Sequence, residues 1–263
     1  MTRDPLVTYQ TDGPLAILTL TNAPANCYSH DMMRDLDDAV LRARFAPEVQ
    51  VLLLTGQGDK FFCAGADIAM LNAADPTWKY YFCLHANETL SRLEQTPKLV
   101  VAALNGHAVG GGLEVAMAAD LRVAKRAGGK IGLPEVALGV LPGTGGTQRL
   151  ARMVGKARAI ELMCAGRTFD AAEAERLGIV NEVFDADGFA DRAREYARGF
   201  CTPGKAAMAV GHIKRAVQTG AELPLESGLA LERELQAKLF ASEDAGEGIA
   251  AFGDKRQAKF KGC

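Results

Sequence analysis

The chain has 263 residues, 48% hydrophobic and 24% charged, enough to bury a sizeable core in one large domain or a domain with a small appendage. A formal net charge of −2 argues against broad binding to nucleic acid or to an anionic membrane, so a polyanionic ligand would need local positive groups. No stretch approaches the ~18 uninterrupted apolar residues of a membrane span, MTRDPLVTYQ at the start lacks an apolar signal core, and the six cysteines form no CxxC pair, so a soluble cytoplasmic protein with reduced thiols is expected.

Residues 15–21 (LAILTLT) predict a short strand after a Gly13-Pro14 turn. Ser29 is a suitable N-cap for the helix that follows, with Met33, Leu36, Val40 and Ala43 on its apolar face. The continuous apolar run at 49–55 (VQVLLLT) is the pattern of a strand buried on both sides. A glycine-containing loop, GQGDKFFCAGADI, comes next and places Asp67 near another helix start. Over 75–96 the spacing of Trp78, Phe82, Ala86, Leu90 and Leu93 predicts a helix with one core-facing stripe. Trp78, the single tryptophan and close to a loop, is the candidate for an aromatic pocket wall. Strands alternating with helices favour an α/β layout with parallel pairing.

Residues 99–105 form a further buried strand, which leads into LNGHAVGGGLEVAMAADLRVAKRAGGKIGLPEVALGVLPGTGGTQRL at 104–150. Here the triple glycine 110–112 stands between strand and helix, with Glu114 in the helix's first turn. The first N–H groups of a helix have no partner within it and carry partial positive charge, which suits an oxygen that becomes negative. A tight corner with a capping glutamate accounts for those residues equally well. IGLPE at 131–135 shifts the balance: Pro134 fits the first helical position, which makes Glu135 a second first-turn glutamate among Leu133, Val136 and Leu138. Apolar neighbours raise a carboxyl pKa, as a proton donor near neutrality requires.

Past residue 150 the helical spacing dominates, at 156–165, 171–177, 188–200, 203–218 and 224–241, with a strand-like break at 178–183. Ala206, Val210, Ile213 and Val217 make one apolar stripe, and Leu231, Leu235 and Leu239 another. Other site chemistries lack their motifs. No GxGxxG, GxxxxGK[ST] or GxSxG string occurs, and His30, His85, His107 and His212 show no metal-ligand spacing. His107 reads as a corner residue with a satisfied hydrogen bond, Cys63 as packing, and Asp120 as a helix end or a backbone ligand.

GHAVGGGLEVAMAADLRVA followed by GLPEVALGVLPGTGGTQRL closely resembles the crotonase family, the enoyl-CoA hydratase/isomerase group. FFCAGADI (61–68) and EGIAAFGDKRQAKFKG (247–262) resemble further blocks of that family in the same order. The stretch Gly128-Gly129-Lys130-Ile131 departs from the usual polar run but leaves both glutamates in place. The resemblance implies an α/β fold, a crotonase-like spiral of ββα units, with the core at 1–182 and a helical C-terminal trimerisation region at 183–263. It implies reversible syn addition of water to a 2-enoyl-CoA thioester, giving a 3-hydroxyacyl-CoA. By position, Ala66 and Gly111 match the backbone N–H donors of the family's oxyanion hole, Glu114 the glutamate that activates water, and Glu135 the one that exchanges the α-proton.

Ala23, Ala25, Asn26 and Cys27, with Ala64, Gly65, Asp67, Ile68 and Gly110, match segments that hold the nucleotide and pantetheine. Lys255 matches a cation near the CoA phosphates that reaches a neighbouring subunit in a homotrimer or dimer of trimers, although KRQAKFK reads equally well as a solvated helix end. Coenzyme A enters as part of the substrate, and no separate cofactor, metal, nucleic acid or membrane is expected. An enoyl-CoA double-bond isomerase, or another acyl-CoA lyase of this kind, is the alternative within the family. A catalytically silent CoA- or RNA-binding scaffold is the alternative outside it, and both glutamates and both glycine loops stand against it. Acyl length would depend on residues around 68–85 and on the C-terminal helices.

Overall fold

A computed structural model describes residues 3–263. A hairpin of β1 (Val7–Asp12) and β2 (Leu15–Leu20) opens the chain and leads to α1 (His30–Phe45), whose first turn is capped by Ser29 accepting from the Met32 N–H at 3.2 Å. β3 (Val51–Gly56), β4 (Phe61–Cys63), α2 (Ile68–Ala73) and α3 (Pro76–Glu94) follow. Next come β5 (Leu99–Leu104), β6 (His107–Val109), α4 (Gly111–Met117), β7 (Leu121–Lys125), β8 (Ile131–Gly132) and a 3-10 turn at Glu135–Leu138. The rest comprises α5 (Gly146–Val154), α6 (Lys156–Cys164), β9 (Thr168–Phe169), α7 (Ala171–Arg176), β10 (Glu182–Phe184), α8 (Phe189–Arg198), α9 (Ala207–Gly220), α10 (Leu225–Phe240) and α11 (Glu243–Gly253).

Six strands form the main sheet in the order β1-β2-β3-β5-β7-β10, antiparallel only at the β1–β2 edge. β5 is apolar and buried at every position, and β3 is so from Val51 to Leu54, because both faces are covered. Leu52 and Leu54 of β3, with Val100 and Ala102 of β5, face the cluster built with Met33, Leu36 and Val40 of α1 and Phe82 and Leu90 of α3. The alternate residues Val51, Leu53 and Val101 face a second cluster with Phe189, Ala193 and Ala197 of α8. Each such valine or leucine taken out of water contributes about 1.5–3 kcal/mol.

The second sheet is small, in the order β4-β6-β8-β9, and its first three strands are parallel. The α/β layout with parallel pairing expected from the sequence is present, and it is divided between two sheets. The boundary expected at 182/183 falls inside β10, which pairs with β7 in the main sheet, and α8 beyond it still covers that sheet. α9 is fastened by Lys214, whose ammonium lies 2.8 Å from Asp120 and donates to the Lys98 carbonyl at 3.0 Å. Asp120 also accepts from the Val100 N–H at 2.7 Å, so it binds backbone as expected and in addition forms a buried ion pair. The predicted stripe on α9 is split: Val210 packs against the second cluster, whereas Ile213 is 61% and Val217 67% exposed. Among the described residues no helix is long and apolar enough to cross a membrane.

Candidate active site

The three parallel strands of the small sheet place the candidate residues. Phe61 of β4 pairs with His107 of β6, and Val109 of β6 pairs with Gly132 of β8. Three chain segments therefore leave the sheet side by side at the carboxyl ends of their strands, the usual ligand edge of a parallel sheet. The first carries Ala64 to Ala66, the second Gly110 to Glu114, and the third Pro134 and Glu135. A cleft of about 560 Å³ lies there, with Ala64, Gly65, Ala66, Gly110, Gly111, Glu114 and Glu135 in its wall.

Backbone geometry explains the glycines at the second exit. Gly110 turns the chain into α4 at φ +56, ψ −134. A Cβ at Gly111 would overlap the Tyr28 ring, so only glycine lets the start of α4 approach that closely. Gly111 is the first residue of α4, and among the described residues neither its N–H nor that of Ala66 has an acceptor. Ala66 is held from both sides instead: the Tyr28 N–H donates to the Gly65 carbonyl at 2.9 Å and the Asp67 N–H to the Tyr28 carbonyl at 3.0 Å. Two residues with unengaged amides thus line one cleft from two separate turns.

The two glutamates sit in unlike surroundings. Glu114 is 2% exposed, yet it is well solvated by protein. Its Oε1 accepts from the Thr144 N–H at 2.8 Å and the Gly146 N–H at 2.7 Å, and its Oε2 from the Thr144 hydroxyl at 2.5 Å. Donors of this kind favour a carboxylate. Glu135 has no such shell: among the described residues its buried Oε2 finds no partner. Burial pushes the Glu135 carboxyl up to about 7, against a lowering by its own backbone N–H, and the neighbouring charge of Glu114 adds to the rise. Glu135 is thereby set up to hold a proton near neutral pH, beside a glutamate whose oxygens are already engaged by three donors. Pro134 precedes the 3-10 turn rather than entering a full helix as the sequence predicts, but Glu135 still heads that turn.

Other candidates lie at varying distance from the cleft. Ile68 joins its wall, together with Leu71 and Ala74 of the α2 segment and Val140 and Leu141 across from them. Asp67 caps α2 by accepting from the Met70 N–H at 2.8 Å. In the 23–27 loop the Ala25 carbonyl accepts from the Ala64 N–H, and the buried Asn26 amide donates to the carbonyls of Gln57 at 3.0 Å and Phe61 at 2.9 Å. Ala25 thereby braces the first glycine turn, and Ala23, Ala25, Asn26 and Cys27 are not in the cleft wall. Lys255 lies just past α11, exposed and at φ +55, and is not in the cleft wall.

Trp78 does not line the cleft as the sequence led us to expect. It stacks on Phe82 at 5.4 Å, and the same helix offers Pro76 and Lys79 to the wall instead. His107 is the first residue of β6 rather than a corner residue, and it has the satisfied hydrogen bond expected of it: its Nδ1 accepts from the Lys130 N–H at 3.0 Å. Burial drives the Cys63 thiol up to about 12, so it is a packing residue and no nucleophile. Among the described residues no three His, Cys, Asp or Glu side chains converge as metal ligands. The sequence reading missed Thr144 and Gly146, the donors to Glu114, and also Tyr28. The GTGG string at 143–146 was the available signal, since its glycines free a backbone for close approach.

The family model described as enoyl-CoA hydratase/isomerase matches residues 10–263. The chain is 35% identical to the short-chain-enoyl-CoA hydratase of Clostridium acetobutylicum, over 95% of this chain and 95% of that one. It is 36% identical to the crotonyl-CoA hydratase of Syntrophomonas wolfei, over 94% of each. The crystal structure of an enoyl-CoA hydratase from Geobacillus kaustophilus superposes with a TM-score of 0.96 at 44% identity, covering 100% of this chain and 98% of that one.

Proposed function

The chain belongs to the enoyl-CoA hydratase/isomerase family, and we propose that it is an enoyl-CoA hydratase, a hydro-lyase that adds water reversibly across the double bond of a 2-enoyl-CoA thioester. The observation that carries this reading is the pairing of a carboxyl raised to about 7 with a second glutamate held by three donors, both in one cleft with two unengaged amides.

In this reading the thioester oxygen rests between the N–H groups of Ala66 and Gly111. Charge moves onto that oxygen as water attacks Cβ, and each donor aimed at it is worth about 3 kcal/mol. Glu114, ionised, takes the proton from water as its oxygen bonds to Cβ. Glu135, protonated, gives its proton to Cα. Attack and protonation from one wall of the cleft make the addition syn. Leu71, Ala74, Val140 and Leu141 offer the acyl group an apolar surround. Coenzyme A is bound as part of the substrate, by backbone at 64–68 and by the 23–27 loop.

A panel of CoA thioesters tests the reading. Wild-type protein is expected to hydrate 2-enoyl-CoA and to dehydrate 3-hydroxyacyl-CoA, followed by loss or gain of the enoyl absorbance. Isomerisation of 3-enoyl-CoA without hydration would make the protein an isomerase, and thioester binding without turnover would make it a silent scaffold.

Self-association belongs to the same proposal. Ile213 and Val217 of α9, Phe240 of α10, and Ile249 and Phe252 of α11 are exposed apolar side chains on consecutive C-terminal helices, a surface that water disfavours. We take the assembly to be a homotrimer, or a dimer of trimers, with Lys255 reaching towards a neighbour's CoA phosphates. Light scattering is expected to give a mass of three or six chains of 27.9 kDa; a monomer at micromolar concentration would remove this part of the proposal.

A further inference from the structure

We infer that the hydroxyls of Tyr28 and Thr144 form a positioning relay that leaves Glu114 one open acceptor site, on Oε2, for the water to be added. The inference rests on the hydratase reading and adds to it the groups that place the nucleophile.

A carboxylate offers about four acceptor sites, two on each oxygen. In Glu114 both sites of Oε1 are filled, by the N–H groups of Thr144 and Gly146. One site of Oε2 is filled by the Thr144 hydroxyl at 2.5 Å. A single site remains, so a water bound to this carboxylate has one place to sit.

The direction of the relay follows from counting protons. An ionised carboxylate can only accept, so the Thr144 hydroxyl donates its one proton to Glu114. The Tyr28 hydroxyl, 3.2 Å from Thr144 Oγ1, must then donate to Thr144. Burial raises the Tyr28 phenol well above its ordinary value, and the charge of Glu114 raises it further, so it keeps the proton this role needs.

Tyr28 is itself held firmly. Its ring stacks on Phe82 at 5.7 Å and 15° and abuts Gly111, while its backbone pairs with the 65–67 turn. One residue therefore touches both amide-bearing turns through ring and backbone, and through its hydroxyl the Thr144 side chain that holds the base. Removing the hydroxyl alone separates the relay from the scaffold. Both residues act through Glu114, which makes them positioning residues.

The test compares kcat, KM and Tm for wild type, Thr144→Val, Thr144→Ser, Tyr28→Phe and the double variant Tyr28→Phe/Thr144→Val on one 2-enoyl-CoA. Thr144→Val keeps the shape and the backbone donor, and its kcat is expected to fall about 10–100-fold, the rate equivalent of one hydrogen bond to a charged group, with KM changed by less than about twofold. Thr144→Ser should restore kcat to within about threefold of wild type, and Tyr28→Phe should lower it by about 3–10-fold. Because the two hydroxyls act in series, the double variant should be no slower than Thr144→Val.

An unchanged kcat in Thr144→Val, or losses in the double variant that multiply, would overturn the relay while leaving the hydratase reading intact. A wild type that turns over no 2-enoyl-CoA overturns both. Should Thr144→Val lose too much Tm to assay, Tyr28→Phe decides: a lower kcat at constant KM supports the relay, and an unchanged kcat overturns it.

Discussion

Glu135→Gln is expected to slow hydration of a 2-enoyl-CoA by about 10²–10⁴-fold, the usual worth of a general acid, with little change in KM. Glutamine keeps the volume and the polar end but has no proton to release near neutral pH. The wild-type carboxyl can do so because burial, reinforced by the charge of Glu114, lifts it to about 7, and no donor rewards its ionised form at Oε2.

The same shift sets the pH dependence. Hydration consumes no net proton, so the two glutamates carry one proton between them at the start of catalysis in either direction. The productive state is lost as pH rises through about 7 and that proton leaves. For hydration and dehydration alike, kcat/KM should fall about tenfold per pH unit above that point, as an apparent constant of the pair. Glu135→Gln should lose this alkaline limb together with its rate. Steady-state kinetics between pH 5 and about 9 read both effects. A variant with wild-type rate and profile would take Glu135 out of the chemistry.

The second large effect is expected at a residue with no side chain. In Gly111→Ala the new methyl runs into the Tyr28 ring, which is clamped by Phe82 and cannot yield. Relieving the overlap must shift the start of α4 and swing the Gly111 N–H away from the thioester oxygen. We expect kcat to fall about 10²–10³-fold, as for loss of one oxyanion donor. Overpacking should also cost about 1–3 kcal/mol of stability, read from urea unfolding. Activity measured where the variant is still fully folded separates the two. Undiminished turnover there would mean that this amide does not touch the developing charge.

Much of this was legible before any coordinates. β2, β3 and β5 are apolar strings, interrupted only by Thr19 and Thr55, because both sheet faces are buried, and α1 carries its cap at Ser29 and its stripe in plain view. The glutamates stood out because glycine and proline mark the turns they occupy. β4, β6, β8 and β9 were not legible: strands of two or three residues carry no periodicity, and their partners lie tens of residues away. Nor could spacing link Glu114 to Thr144, since that contact exists only after the chain has returned to the cleft. On α9 the stripe was real but its meaning was not. Apolar periodicity marks a face that avoids water, and Ile213 and Val217 show that this face need not be the interior of its own chain.

Both amides assigned to the thioester belong to the main chain, and they are set side by side by how β4 and β6 align. Sliding one strand past the other by one residue would move its amide by about 3.3 Å and undo the grip entirely. Substitutions elsewhere in the cleft leave it untouched. On the proposed reading, polarisation of the acyl carbonyl is a durable property of the frame, whereas the fate of the activated carbon is decided by replaceable side chains. Redesign for a different transformation of acyl thioesters could begin at Glu114, Glu135 and their neighbours while inheriting the hardest requirement ready made.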